Sequence, residues 1–157
     1  MIEIERKFLV TSVTFKVEAF KKSRIVQGFL STHKKRTVRV RLKDEQGFLT
    51  IKGMSSEDGL SRFEWEKEIS KSDAESLLRL CKNGIINKLR YEIQAGNHLF
   101  EVDEFFGNNS GLILAEVELN SEDEVFIKPS WLGKEVTGNL KYYNSQLSKH
   151  PYKSWKT

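Results

Sequence analysis

Met1-Ile2-Glu3-Ile4-Glu5-Arg6-Lys7-Phe8-Leu9-Val10 opens the chain and sets its pattern. Residues two apart lie on one side of an extended backbone. Ile2, Ile4 and Phe8 share a side with Arg6, while Glu3, Glu5 and Lys7 share the other. The stretch therefore reads as a strand with an apolar face and a charged face. Taken alone, such a strand lies at the surface with its charges in water. What changes the reading is that later strands repeat the division.

Strands are expected over residues 23–30, 36–43, 48–53, 61–69, 85–94, 98–106 and 112–120, with turns at 31–35, 44–47, 95–97 and 107–111. Val38, Val40 and Leu42 oppose Thr37, Arg39, Arg41 and Lys43; Lys52 opposes Leu49 and Ile51. Arg62, Glu64, Glu66 and Glu68 oppose Phe63, Trp65 and Ile69, with Lys67 out of pattern. Lys88, Arg90 and Glu92 alternate with Leu89, Tyr91 and Ile93. Glu101 and Asp103 oppose Phe100 and Val102, and Glu116 and Glu118 oppose Ala115, Val117 and Leu119. One helix is expected after Ser72 and Asp73, its capping candidates, with Ala74, Leu77, Leu78 and Cys81 as its apolar stripe and an end near Asn83-Gly84. Thr137 is a capping candidate for a second, over about 138–148. Residues 11–22 read as a loop with one or two helical turns, residues 129–133 as a turn carrying Trp131, and residues 150–157 as a frayed basic tail.

Length and composition set bounds on this. A chain of 157 residues is expected to be one domain, 1–157, with a good core. Its 26 Lys and Arg against 22 Asp and Glu leave a net charge of only +4, so no nucleic-acid partner is expected. No apolar run is long enough to span a membrane and no signal segment is present, which gives the expectation of a cytoplasmic protein. Cys81 is the single cysteine, so no internal disulfide forms. His33, His98 and His150 lie far apart and lack metal-ligand spacing.

Eight strands with one wet, charged face suggest closure, because an antiparallel barrel removes the edges of an open sheet. The expected fold is therefore α+β: a closed eight-stranded antiparallel β-barrel with flanking helices. Helices, loops or a second copy of the chain would cover the apolar outside, and a homodimer is an open expectation. The charged faces would then line a lumen, and that many buried charges must pair or bind ions. Acidic residues come from the first, Arg62 and last strands, and basic ones from the Arg39/Arg41 strand, Lys52 and the Lys88/Arg90 strand. A lumen so divided suits a phosphate chain with divalent cations, since carboxylates hold hard metal ions and Arg and Lys take phosphate oxygens. Cross-strand ion pairs explain the same alternation equally well, and the pattern alone leaves both readings standing. No Gly-rich phosphate loop or dinucleotide fingerprint is present.

Glu3-Ile4-Glu5-Arg6-Lys7 resembles the ExExK motif of the CYTH superfamily, the triphosphate tunnel metalloenzymes. The resemblance continues in order through Gln27-Gly28-Phe29-Leu30, Arg39-Val40-Arg41, Thr50-Ile51-Lys52-Gly53, Arg62-Phe63-Glu64-Trp65-Glu66, Lys88-Leu89-Arg90-Tyr91, Glu101-Val102-Asp103-Glu104-Phe105, Ala115-Glu116-Val117-Glu118-Leu119 and Glu135-Val136-Thr137. It implies a tunnel that binds a small-molecule triphosphate with Mg²⁺ or Mn²⁺ and hydrolyses it, inorganic tripolyphosphate being the first expectation. By this resemblance Glu3, Glu5, Asp103, Glu116 and Glu118 would hold metal. Lys7, Arg39, Arg41, Lys52, Lys88 and Arg90 would bind substrate, with Lys7 and Lys88 nearest the chemistry. Thiamine triphosphatase, adenylate cyclase and a non-catalytic polyphosphate- or nucleotide-binding module are the alternatives. One position departs from some small bacterial relatives, where tyrosine stands in place of Phe29. A hydroxyl partner for Lys88 is therefore missing at that position.

Overall fold

The computed structural model describes residues 2–155, with the backbone alone at positions 82 and 83. Its strands are β1 (Ile2–Val10), β2 (Lys21–Ser31), β3 (Arg36–Lys43), β4 (Gln46–Gly53), β5 (Ser61–Ile69), β6 (Lys82–Ala95), β7 (His98–Phe105), β8 (Ile113–Leu119) and β9 (Leu132–Glu135). Three short helices accompany them: α1 (Phe15–Glu18), α2 (Lys71–Leu78) and α3 (Asn144–Leu147). The lateral order is β5-β4-β3-β2-β6-β7-β8-β1, and β1 pairs back onto β5 through Ile2↔Phe63, Glu3↔Arg62 and Ile4↔Ser61. That closes an eight-stranded antiparallel barrel. The opening stretch is the closing strand: β8 runs along Ile4 to Leu9 on one side, and β5 and then β9 share the other.

Closure explains the alternation. The apolar side of β1, β6, β7 and β8 faces outward and is roofed by α1 and the segment that carries Phe126 and Trp131. Phe15 meets Tyr91 edge-on at 5.2 Å and Phe100 meets Trp131 at 5.6 Å. Each fully buried large apolar side chain contributes about 1.5–3 kcal/mol, so this roof is a principal source of stability. Over β3 and β4 the cover is α2, which sits so close that a Cβ on Gly47 would come within 2.8 Å of the Ala74 Cβ. A second core lies at one end of the barrel, where Phe29, Ile86 and Phe105 meet Val136, Tyr142 and Leu147. The C-terminal segment crosses that end and is tied down by Val136 N–H to Lys7 O (2.8 Å) and Gly84 N–H to Ser148 O (2.9 Å).

Several local expectations are corrected. The cap of α2 is Ser70, whose hydroxyl accepts from the Asp73 N–H at 3.0 Å, and the helix ends at Leu78 rather than near Gly84. Chain pairing explains the early stop, because β6 already begins at Lys82, opposite Phe29. In place of a helix over 138–148 there is a 3₁₀ turn at Leu140–Tyr142 and the single turn of α3. Side chains there are recruited one by one to the barrel end, so a regular apolar stripe does not develop. The expected tail is packed through residue 155: Trp155 lies edge-on to Tyr142 at 5.2 Å and to Tyr152 at 5.0 Å. Its last two residues, 156 and 157, lie outside the described residues. The residues read as a turn around Trp131 continue into β9, which needed tertiary pairing with β1 to form. Among the described residues no helix is long and apolar enough to cross a membrane.

Candidate active site

The inward side chains surround a cavity of about 280 Å³. Glu3, Glu5 and Lys7 enter it from β1, Arg39 and Arg41 from β3, Lys52 from β4, Lys88 and Arg90 from β6, and Glu116 from β8. Every one of these positions follows from strand parity. The wall also includes Arg62, Glu64 and Glu66 of β5, and Tyr143, Asn144 and Ser145 of the C-terminal segment.

Two of the residues expected in the site are placed elsewhere. Asp103 shares the inward face but does not reach the cavity wall. The residue is 2% exposed, and its carboxylate accepts from Arg90 Nε (2.8 Å) and Nη2 (2.9 Å), with Lys88 Nζ at 2.7 Å. Both oxygens already serve two cations, which leaves this carboxylate bracing Lys88 and Arg90 from behind. Glu118 is exposed and lines an adjoining hollow with His98, Leu99, Asn120 and Glu124. Glu101 belongs to both spaces and joins them.

The charges fall into two unequal groups. On the cationic side, burial works to raise the Asp103 carboxyl, but Arg90 and Lys88 overcome it and hold it far below the usual carboxylate range. Burial pushes the Lys88 ammonium down to about 7, against the pull of Asp103. Arg41 is driven well below its ordinary value by burial and by Arg39 and Arg90 beside it. Arg39 donates through Nη2 to Thr50 Oγ1 (3.1 Å) and Glu66 (3.4 Å), yet its buried Nε has no partner among the described residues. A buried guanidinium N–H without an acceptor is costly, and an anionic ligand in the cavity is the natural acceptor.

On the carboxylate side the shortage is of positive charge. Burial and the nearby Glu116 push the Glu5 carboxyl well above its ordinary value. Burial would raise Glu116 as well, but Lys7, a hydrogen bond from Glu5 and Arg90 hold it low. Glu3 is raised by burial while Lys52, at 3.2 Å, pulls the other way. A divalent cation fits this donor set, since hard ions favour carboxylate oxygens and would supply the missing charge. Among the described residues no three such side chains already sit as a metal cluster. Glu3, Glu5 and Glu116 would therefore have to draw together on an ion.

Sequence reading passed over the amides and the C-terminal wall. Gln27, fully buried, donates through Nε2 to Asn144 Oδ1 (2.9 Å) and accepts from Arg41 Nε (2.8 Å). Lys88 Nζ also donates to Asn144 Oδ1, at 2.9 Å. Phe29 offers Lys88 no hydroxyl, and Asn144 and Asp103 take up its donors instead. The available signal was an uncharged polar residue, Gln27, at an inward position between Ile25 and Phe29.

The CYTH domain model matches residues 1–152, nearly the whole chain. The protein belongs to the CYTH family. A protein of Acetivibrio thermocellus named inorganic triphosphatase is 46% identical over 155 residues, covering 98% of this chain and 97% of that protein. A Nitrosomonas europaea protein of the same name is 40% identical over 152 residues, covering 94% and 97%. Among solved structures, one described as an inorganic triphosphatase aligns with a TM-score of 0.66 at 34% identity over 93% of this chain and 97% of its own. A Hippeastrum protein described as a candidate adenylyl cyclase with dominant triphosphatase activity aligns with a TM-score of 0.60, covering 76% of this chain and 80% of its own. At 15% identity, that likeness bears on the CYTH fold alone.

Proposed function

We propose that this CYTH protein is a divalent-metal-dependent phosphohydrolase whose substrate is inorganic tripolyphosphate. The observation that carries the proposal is the convergence of Lys7, Arg39, Arg41, Lys52, Lys88 and Arg90 on one cavity that Glu3, Glu5 and Glu116 also line. The two curated relatives named inorganic triphosphatase support it. Glu3, Glu5 and Glu116 would hold Mg²⁺ or Mn²⁺, with Glu118 and Glu101 at the adjoining hollow and Asp103 behind the cationic wall. Held there, such an ion would supply Lewis-acid neutralisation of phosphate oxygens.

Phosphoryl transfer needs positioning and neutralisation more than covalent help from the protein. Arg39 and Arg41 present planar N–H pairs that match phosphate oxygens. Arg90, held in place by the two Asp103 oxygens, offers a donor that does not swing away. Lys7, whose Nζ is 3.3 Å from Tyr142 O and 5.0 Å from the Tyr143 ring centre, faces the cavity and balances charge on a leaving phosphate oxygen. These groups recognise phosphate, and none of them reads a base edge.

The test is a phosphate-release panel with tripolyphosphate, thiamine triphosphate, ATP and pyrophosphate, each with Mg²⁺ and Mn²⁺, alongside a cyclic AMP assay. The expected result is the highest kcat/KM on tripolyphosphate, no activity in EDTA and no cyclic AMP. A higher kcat/KM on ATP with formation of cyclic AMP would overturn the proposal in favour of a cyclase.

A further inference from the structure

The C-terminal segment does more than cover the barrel end, because it inserts Asn144 into a hydrogen-bond chain that contains three of the site's cations and the carboxylate behind them. Arg41 Nε donates to Gln27 Oε1, Gln27 Nε2 donates to Asn144 Oδ1, Lys88 Nζ donates to the same oxygen, and Lys88 and Arg90 meet on Asp103. Chemistry fixes the orientation of both amides. Guanidinium and ammonium groups only donate, so Gln27 must turn its oxygen to Arg41, and Asn144 must turn its oxygen to Lys88. The Asn144 Nδ2 then carries two N–H donors, which find no acceptor among the described residues, on a side chain that lines the cavity.

We propose that Asn144 is a positioning residue for the phosphate-binding lysine and arginine, and that its amide N–H also donates to a phosphate oxygen at the covered end of the tunnel; this rests on the triphosphatase reading. An ammonium has three donors. Asp103 and Asn144 take two of the Lys88 donors at 2.7 and 2.9 Å, which leaves the third for a ligand in the cavity that Lys88 lines. Without the Asn144 carbonyl only one anchor remains, and the ammonium can turn about it. Gln27 passes the same constraint to Arg41: its Nε is held, which leaves the two terminal nitrogens of the guanidinium for the ligand. Asn144 sits on the single turn of α3, so its place depends on packing of Tyr142 and Leu147 into the second core rather than on helix propensity.

Three variants separate this role from simple plugging. Asn144→Ala removes both the anchor and the donor. Its KM for tripolyphosphate should rise about tenfold and its kcat fall about tenfold, the scale of a lost hydrogen bond to a charged group. Asn144→Asp keeps an acceptor for Gln27 and Lys88 but replaces the N–H donors with negative charge. It should raise KM about tenfold while kcat stays within about threefold of the unaltered protein. In a Lys88→Met background, Asn144→Ala should lower kcat less than about threefold further, since that part of its effect runs through Lys88, while the KM rise from the lost N–H donor persists. Binding of tripolyphosphate in EDTA, followed by calorimetry, gives the same comparison without turnover. If Asn144→Ala unfolds, Asn144→Asp alone decides, because it preserves the acceptor and the packing. Kinetics within twofold of the unaltered protein in Asn144→Asp, or a full tenfold loss of kcat persisting in the Lys88→Met background, would overturn the inference and leave the triphosphatase reading intact. Failure of the unaltered protein to bind or hydrolyse tripolyphosphate would overturn both.

Discussion

Asp103, buried, and Glu5, partly buried, are both carboxylates on the inner face of one barrel, and their surroundings treat them oppositely. Asp103 is held between Lys88 and Arg90, with contacts of 2.7 to 2.9 Å, and its carboxyl is held far below the ordinary range. Glu5 faces Glu116 and Glu3, with the help of Lys52 outweighed, and its carboxyl is pushed well above that range. One half of the tunnel wall is complete as it stands; the other is short of a cation. Asp103 braces Lys88 and Arg90 as a buried ion-paired group, while crowded carboxylates form a place that a metal ion would stabilise. The protein therefore separates two tasks that a uniformly mixed charged lumen would blur.

The largest expected effect is on the complete half. Asp103→Ala leaves Lys88 and Arg90 buried without their shared partner, which typically costs about 3–5 kcal/mol. Denaturant unfolding at neutral pH should show that loss. The sign with pH follows from the depressed folded-state value. In the window below the ordinary carboxylate range of about 4, the unfolded chain takes up a proton that the folded one refuses, so stability falls as pH falls. The gap between the unaltered protein and Asp103→Ala should therefore be full above that window and narrow as acid is added. A loss under about 1 kcal/mol at neutral pH would break the comparison.

Glu5→Gln should act in the opposite direction. Replacing a carboxyl crowded by burial and like charge with a neutral isostere relieves strain. Metal-free stability should rise by an amount on the order of 1 kcal/mol, while phosphate release is lost. A destabilised variant would mean that Glu5 is as well paired as Asp103. The smallest effect belongs outside the tunnel. Arg6 and Glu135 form a bidentate pair at 2.9 and 3.0 Å, but both side chains are about one-third exposed. Arg6→Ala should cost no more than about 1 kcal/mol, and that cost should shrink with added salt. Its kinetics should match those of the unaltered protein, so it serves as the control for charge removal as such.

Strand parity made much of this legible. Glu3-Glu5-Lys7, Arg39-Arg41 and Lys88-Arg90 fall on inward positions because a two-residue period assigns faces without any knowledge of neighbours. Parity cannot say which inward groups touch. The resemblance puts Asp103 with the metal-holding carboxylates, and parity has nothing to set against it, whereas register places it opposite Arg90 and within reach of Lys88. Glu118 has the parity of Glu116 but lies one step farther along β8, where the cavity gives way to the adjoining hollow. The C-terminal wall was illegible for a different reason. Thr137, Tyr142, Asn144 and Leu147 each serve a separate contact with the barrel, so no period of 2 or 3.6 links them. Only the closed barrel end gives those residues a common purpose.

The division of labour is tested most directly by measuring the rate of phosphate release over a grid of Mg²⁺ and tripolyphosphate concentrations for Glu116→Gln and Arg41→Ala. The account predicts that Glu116→Gln raises the Mg²⁺ concentration for half-maximal rate by about tenfold or more, with little change in tripolyphosphate KM at saturating metal. Arg41→Ala should raise KM by a similar factor and leave the metal requirement near that of the unaltered protein. Both variants moving along the same axis, or an unaltered protein that works undiminished in EDTA, would contradict it.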